Sequence, residues 1–267
     1  MMPRAFVQQP LAPGQILTLS GPEGHHFARV LRVRAGEAVT LATAGHGYLA
    51  MVEEVDGKGG QVICRVQAMM ASHEPRVRVY VLQGLPKGEK LDFVLQHGTE
   101  VGAAGFCVFA SLRSMGRLHP DKILSRLTRW ERITLEAASQ SQRDVIPSVH
   151  YAGDWEEASR WVARLHPHLV VCLDEEASAV SLAEVLQKSS SPKTDGESRP
   201  DSPIDPVVVL AVGPEGGWDK QERRGFVEQL AAVPVTLGPR ILRTESAGLV
   251  ALAAVMYHFG ELGGPHL

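Results

Sequence analysis

Four apolar, β-branched runs organise the greater part of this chain: VRVYVLQ (77–83), GFCVFA (105–110), LVVCLD (169–174) and VVVLAV (207–212). Helical periodicity separates them, in GEKLDFVLQHGTEVG (88–102) and in a long amphipathic stretch from Pro120 to about Gln142. Further helices are expected from about Lys220 and from about Glu245 to Phe259, with the short strand VPVTL (233–237) between them. Strands apolar at every position, not every second one, are buried on both faces, and the helices between them supply the cover. That order dictates an α/β layer structure around a parallel sheet.

Residues 1 to about 73 obey a different rule. QILTL, AVTLA, YLAMVEEV and QVICRVQ are short and alternating, and the turns AGHG and DGKGG divide them. This is the signature of a small β-barrel or sandwich. The expected division is therefore a β domain over 1–73 and an α/β domain over 74–267. Within the second, Gln187 to Pro206 (QKSSSPKTDGESRPDSPIDP) has no hydrophobic period and reads as a disordered surface loop.

The 267 residues suffice for two such cores, and no apolar run reaches the length of a membrane span. The opening MMPRAFVQQPLAPGQ lacks the apolar core of a signal peptide. Cys64, Cys107 and Cys172 stand singly inside apolar runs, which points to reduced, buried thiols in a cytoplasmic protein with no disulfide frame. The histidines show no paired-ligand spacing, so no metal is expected. The formal net charge is only −3, but the first 150 residues carry +4 and the remainder −7. A basic face on the N-terminal half is the consequence to look for.

Chemistry concentrates in two loops that each come directly after a strand. VVVLAV runs into GPEGGW (213–218), rich in glycine but matching neither the dinucleotide fingerprint nor the phosphate-binding P-loop. It suits a ligand approached by backbone that carries no phosphate to cradle, although a plain turn uses the same residues. The second loop, LGPRILRTESAG (237–248), brings Arg240 and Arg243 to the start of the last helix, with Thr244 as the expected N-cap. In the β domain, His25, His26, Arg29, Arg32 and Arg34 form the densest basic cluster. Arg32 and Arg34 share a face if this segment is a strand; His25, Arg29 and Arg32 do if it is a helix. A merely solvated face remains the alternative.

GPEGGW with LGPRILRTESAG after it resembles the paired signature of the RsmE family of SPOUT-class methyltransferases. The similarity continues in HHFARVLRVRAGEAV (25–39), KGEKLDFVLQHGTEVG (87–102) and WERITLEAASQSQRDVIP (130–147), in the family's order along the chain. The resemblance implies a PUA-like β-barrel and, after it, an α/β domain with a C-terminal trefoil knot, working as a homodimer. It implies an S-adenosylmethionine-dependent enzyme that methylates N3 of a uridine in 16S ribosomal RNA of the small subunit. The implied donor-binding positions are Leu210, Val212, Gly213, Pro214, Glu215, Gly216 and Gly217 in one loop. In the other they are Leu237, Gly238, Ile241, Leu242, Arg243, Thr244 and Glu245.

Methyl transfer to a uracil N3 needs the imide proton removed and the charge spreading onto O2 and O4 stabilised. Arg240 and Arg243 are the candidates for that stabilisation and for holding RNA phosphate. Arginine keeps its proton and is a poor base. Glu245 is either a general base or a group that orients an arginine. RNA contact is implied for the His25–Arg34 cluster and for Arg113, Gln140 and Arg143. The chain departs from the family pattern at Ser141 and Gln142, where cysteine and glycine are frequent, and at Ser246. Two other readings stay open: a SPOUT methyltransferase acting on another RNA, and a non-catalytic RNA-binding protein.

Overall fold

A computed structural model describes residues 2–114, 116–175, 180–190 and 206–264. The chain divides into two compact units, one formed by Met1–Glu74 with Ala138–Ile146, the other by Pro75–Ala137 with Pro147–Leu267. The return of 138–146 to the first unit is a correction to a domain taken as continuous from 74 onward.

The first unit holds a five-stranded sheet of order β1-β3-β4-β5-β2, from β1 (Arg4–Phe6), β2 (Ile16–Leu19), β3 (Ala38–Thr43), β4 (His46–Asp56) and β5 (Gln61–Met69). β1 pairs with β3 in parallel and the other pairs are antiparallel. By its hydrogen bonding the sheet is open, with β1 and β2 at its edges. Its core gathers Leu17, Leu19, Phe27, Val39, Leu41, Val52, Val62 and Cys64. The sequence leaves the segment after β2 undecided between strand and helix; it is helical, α1 (Gly21–His25) running into a π-helical turn (His26–Leu31). Close approach demands glycine at residue 24, since a Cβ there would collide with the Gly60 carbonyl oxygen and stand 2.5 Å from that of Leu19.

Residues 138–146 join this unit through buried charge. Arg4 Nη1 donates to Asp144 Oδ1 at 2.6 Å, with both side chains almost fully buried. Arg143 Nη2 donates to Glu74 Oε2 at 2.5 Å. Removing one partner of such a pair strands a buried charge, at a cost of about 3–5 kcal/mol.

The second unit is the expected parallel sheet. Its order is β11-β9-β10-β6-β7-β8, from β6 (Arg78–Gly84), β7 (Gly105–Phe109), β8 (Ser148–Ala152), β9 (Leu169–Leu173), β10 (Val207–Val212) and β11 (Val233–Val235). Every pairing in it is parallel. Side chains alternate across it into two cores. One packs under α2 (Lys90–Val101), α5 (Leu182–Ser190) and α7 (Thr244–His258), with Trp130 of α3 (Pro120–Gln140). The other packs under α4 (Trp155–Arg164) and α6 (Lys220–Leu230). The helix α5 takes in Gln187 to Ser190, so a disordered loop does not begin at 187; residues 191–205 lie outside the described residues. The three cysteines are buried, and burial pushes Cys64 up to about 11 and Cys107 and Cys172 up to about 12.

Strand order decides where a ligand goes. From β6 the chain builds outward through β7 and β8, then crosses to β9 and returns to insert β10 between β9 and β6. The switch lies between β6 and β10, and crevices outside the carboxyl ends of strands at such switches are where α/β sheets bind ligands.

Candidate functional site

Both loops singled out in the sequence leave carboxyl ends of this sheet, and they face one cavity of about 530 Å³. The wall contains Leu173 to Glu175 after β9, Val212 to Glu215 with Gly217 and Trp218 after β10, and Val235 to Thr244 after β11. Of the implied donor-binding residues, Leu210, Gly216 and Glu245 do not line it. Leu210 is a fully buried residue in the middle of β10, and its side chain belongs to the core.

The glycine loop is fixed from three sides. Gly217 N donates to the Pro214 carbonyl at 3.0 Å, closing a tight turn with Gly217 at φ +67°. Trp218 anchors its far end, where the indole donates to the Leu173 carbonyl at 2.7 Å and packs against Phe109 and Phe226. Gly84, last in β6, supports it from below; a Cβ there would stand 2.6 Å from Pro214 Cδ.

The third support joins the two loops. Thr244 Oγ1 donates to the Gly213 carbonyl at 2.5 Å and accepts from Gln83 Nε2 at 2.9 Å. The N-cap of α7 is Arg243, and Thr244 is the first helical residue. This corrects the capping role expected of Thr244: its hydroxyl is committed to the glycine loop. Gln83, fully buried at the end of β6, also donates to the Gly84 carbonyl at 2.9 Å.

Charge is ordered around the opening. Lys90 Nζ lies 2.9 Å from Glu215 Oε1 and 3.6 Å from Glu245 Oε2. A cation in the first turn of a helix opposes the helix dipole, and the two carboxylates offset that. Burial pushes the Glu215 carboxyl up, but hydrogen bonds from Lys90 and from the Lys87 backbone outweigh it and hold the group below its ordinary range. The Lys90 ammonium is held above its usual range, chiefly by its bond to Glu215. Glu245 thus faces a lysine, not an arginine. Arg240 and Arg243 are exposed at the rim, beside Ile241, which is 83% exposed. Asp174 is held by Arg223 at 2.6 Å, while Glu175 is exposed on the cavity wall.

The residues read as RNA contacts fall into three environments. His25, His26, Arg29, Arg32 and Arg34 are all exposed around α1 and the π-helical turn, where Arg29 donates to the Gly57 carbonyl (3.1 Å) and the Lys58 carbonyl (2.7 Å). Arg32 ends the turn in a left-handed conformation, so Arg32 and Arg34 do not form a strand face. Gln140 is exposed at the end of α3. Arg143 is only 4% exposed and paired to Glu74, which makes it a structural cation and corrects its reading as an RNA contact. Arg113, in the second unit, lines the cavity and donates to the Gly216 carbonyl at 3.0 Å.

Sequence reasoning missed Lys90, Gln83, Asp174, Glu175 and Glu222. Gln83 left one signal, a polar residue closing an apolar strand; Lys90 at a helix start reads as an ordinary solvated charge.

Comparison with known proteins agrees with this architecture. The family described as RNA methyltransferase domain matches residues 73–256, and that described as RNA methyltransferase PUA domain matches residues 19–66. The ribosomal RNA small subunit methyltransferase E of Bacillus subtilis is 32% identical over 267 residues, covering 98% of this chain and 99% of that protein. Its namesake from Mycobacterium bovis is 33% identical over 245 residues, 91% of this chain and 86% of that protein. Among solved structures, a ribosomal RNA small subunit methyltransferase E from Neisseria gonorrhoeae bound to S-adenosyl methionine superposes with a TM-score of 0.77. It is 27% identical and covers 96% of this chain and 98% of that one. With both domains matched in order and relatives aligned along nearly the whole length, the chain belongs to the ribosomal RNA small subunit methyltransferase E family.

Proposed function

We propose that this chain is an S-adenosylmethionine-dependent methyltransferase that methylates N3 of a uridine in 16S ribosomal RNA. The observation that carries the reading is the cavity formed by two loops at strand carboxyl ends and tied together by Thr244. Its volume lies in the range of small-molecule sites, about 300–1,000 Å³. Its wall combines open backbone at Gly213, Gly217 and Gly238 with apolar Val212, Leu237 and Leu242, and it has no phosphate-binding glycine pattern. Those residues suit an adenine and a thioether-like chain, so the fit supports the donor.

The backbone of Val212 to Glu215 with Gly217, and of Leu237, Gly238 and Ile241 to Thr244, holds the donor, which supplies an electrophilic methyl group on a sulfonium. Arg240 and Arg243 stabilise the negative charge on the uracil oxygens as the N3 proton passes to solvent water, and grip RNA phosphate. Glu245 orients Lys90 beside them. The exposed cluster of His25, His26, Arg29, Arg32 and Arg34, with Gln140, binds RNA backbone. The first unit is a PUA-like domain built on its open sheet, the end of the second forms a trefoil knot, and the protein acts as a cytoplasmic homodimer.

Incubation with labelled S-adenosylmethionine and either 16S RNA or small subunits, then digestion and mass spectrometry, tests this. The expected product is 3-methyluridine, abolished by Arg243→Ala. Transfer to a ribose or another base position, or to neither substrate, overturns it.

A further inference from the structure

Glu222 lies in the first turn of α6 and is fully buried, outside the cavity wall. Its Oε2 accepts from Ser111 Oγ at 2.8 Å and its Oε1 from Leu112 N at 2.8 Å. Burying a carboxylate against neutral donors is costly, and a helix N-terminus offsets only part of that. What it holds is the turn after β7. Ser111 Oγ accepts in turn from Arg113 N at 3.4 Å, and Arg113 Nη1 reaches the Gly216 carbonyl at 3.0 Å. The two segments also touch directly, since a Cβ on Gly216 would lie 3.2 Å from Arg113 Cβ.

We infer that Glu222 is a positioning residue for the methyl donor. It fixes Ser111 to Arg113 so that Arg113 clamps the Gly216 carbonyl and keeps the glycine loop in its binding form. This rests on the donor site proposed above. Its effect travels through Arg113, so the two residues form one unit whose losses do not multiply.

Calorimetric titration with S-adenosylmethionine tests the chain of contacts on wild type, Glu222→Ala, Arg113→Ala and the double variant. Each single change raises the donor Kd about tenfold or more, and the double variant stays within about twofold of Arg113→Ala. Glu222→Gln recovers most of the affinity, because its carbonyl accepts from Leu112 N while its amide donates to Ser111 Oγ. In turnover the loss falls on the donor KM, with kcat nearly kept. If Glu222→Ala does not fold, Ser111→Ala carries the same prediction: weaker binding in wild type, none further in Arg113→Ala. Losses that multiply in the double variant overturn the inference, as does unchanged affinity in both Glu222→Ala and Ser111→Ala. Failure of wild type itself to bind strikes the donor reading, and this inference with it.

Discussion

Replacing Thr244 by valine removes one oxygen and keeps the shape of the side chain. The structure says what that oxygen does: it donates to the Gly213 carbonyl at 2.5 Å and accepts from Gln83 Nε2 at 2.9 Å. Gln83 keeps its bond to the Gly84 carbonyl, and its Nε2 also lies 3.4 Å from the Gly213 carbonyl, so the change removes two hydrogen bonds without stranding that acceptor. Two lost neutral bonds at about 0.5–1.5 kcal/mol each make about 1–3 kcal/mol. Helix propensity adds nothing, since valine and threonine are close on that scale. All four tryptophans, Trp130, Trp155, Trp161 and Trp218, belong to the second unit, so fluorescence during urea unfolding reports that unit alone. Thr244→Val is expected to lower its stability by that amount and to weaken S-adenosylmethionine binding at least about tenfold, because the two loops are no longer tied. Thr244→Ser, which keeps the hydroxyl, stays near wild type. A valine variant within about 0.5 kcal/mol of wild type and with unchanged affinity refutes the idea that this hydroxyl joins the loops.

Three further outcomes are expected. Gly84→Ala forces Cβ to within 2.6 Å of Pro214 Cδ, so the glycine loop shifts; about 1–3 kcal/mol of stability and most donor affinity are lost, read by urea unfolding and calorimetry. Gln142→Gly relieves a residue held at φ +61° but gives up the bonds its side-chain amide donates to the Ser139 carbonyl at 3.2 Å and the Met2 carbonyl at 3.4 Å, so stability stays within about 1 kcal/mol of wild type in thermal unfolding of the full chain. For the Lys90–Glu215 pair the depressed Glu215 contributes above its ordinary pKa and is lost as pH falls through its lower folded value. The raised Lys90 contributes below its ordinary pKa and is lost as pH climbs through its higher one. Donor affinity, measured by calorimetry across pH, is therefore level in the neutral range and falls at both extremes. Lys90→Met lowers it only a few-fold, as exposed pairs are weak.

The sheet and its loops were legible because their physics is local. VVVLAV is apolar at every position and gives way at once to glycine and proline, so strand, burial and loop could be read together. β1 is three residues long and shows no period. The helix after β2 stayed ambiguous because its packing depends on Gly24 meeting the backbone of Leu19 and Gly60, which no window of sequence displays. The site was legible as loops and not as contacts. Thr244 looked like a cap because threonine before a helix usually is one, and its actual partner lies 31 residues away. Arg143 looked like an RNA contact only because it matches a polar position in the family pattern. Its partner, Glu74, is 69 residues distant, and only the fold brings the two together. Glu222 carried no signal at all, since the first turn of a helix is an ordinary place for an acid.

A titration of S-adenosylmethionine observed through backbone amide resonances would decide whether the two loops hold the donor. Saturable shifts concentrated at Gly213, Gly217, Gly238 and Thr244 are predicted, with the amides of β1 to β5 unmoved. Shifts centred in the first unit, or none at donor concentrations that support methyl transfer, would contradict a donor site built from these loops.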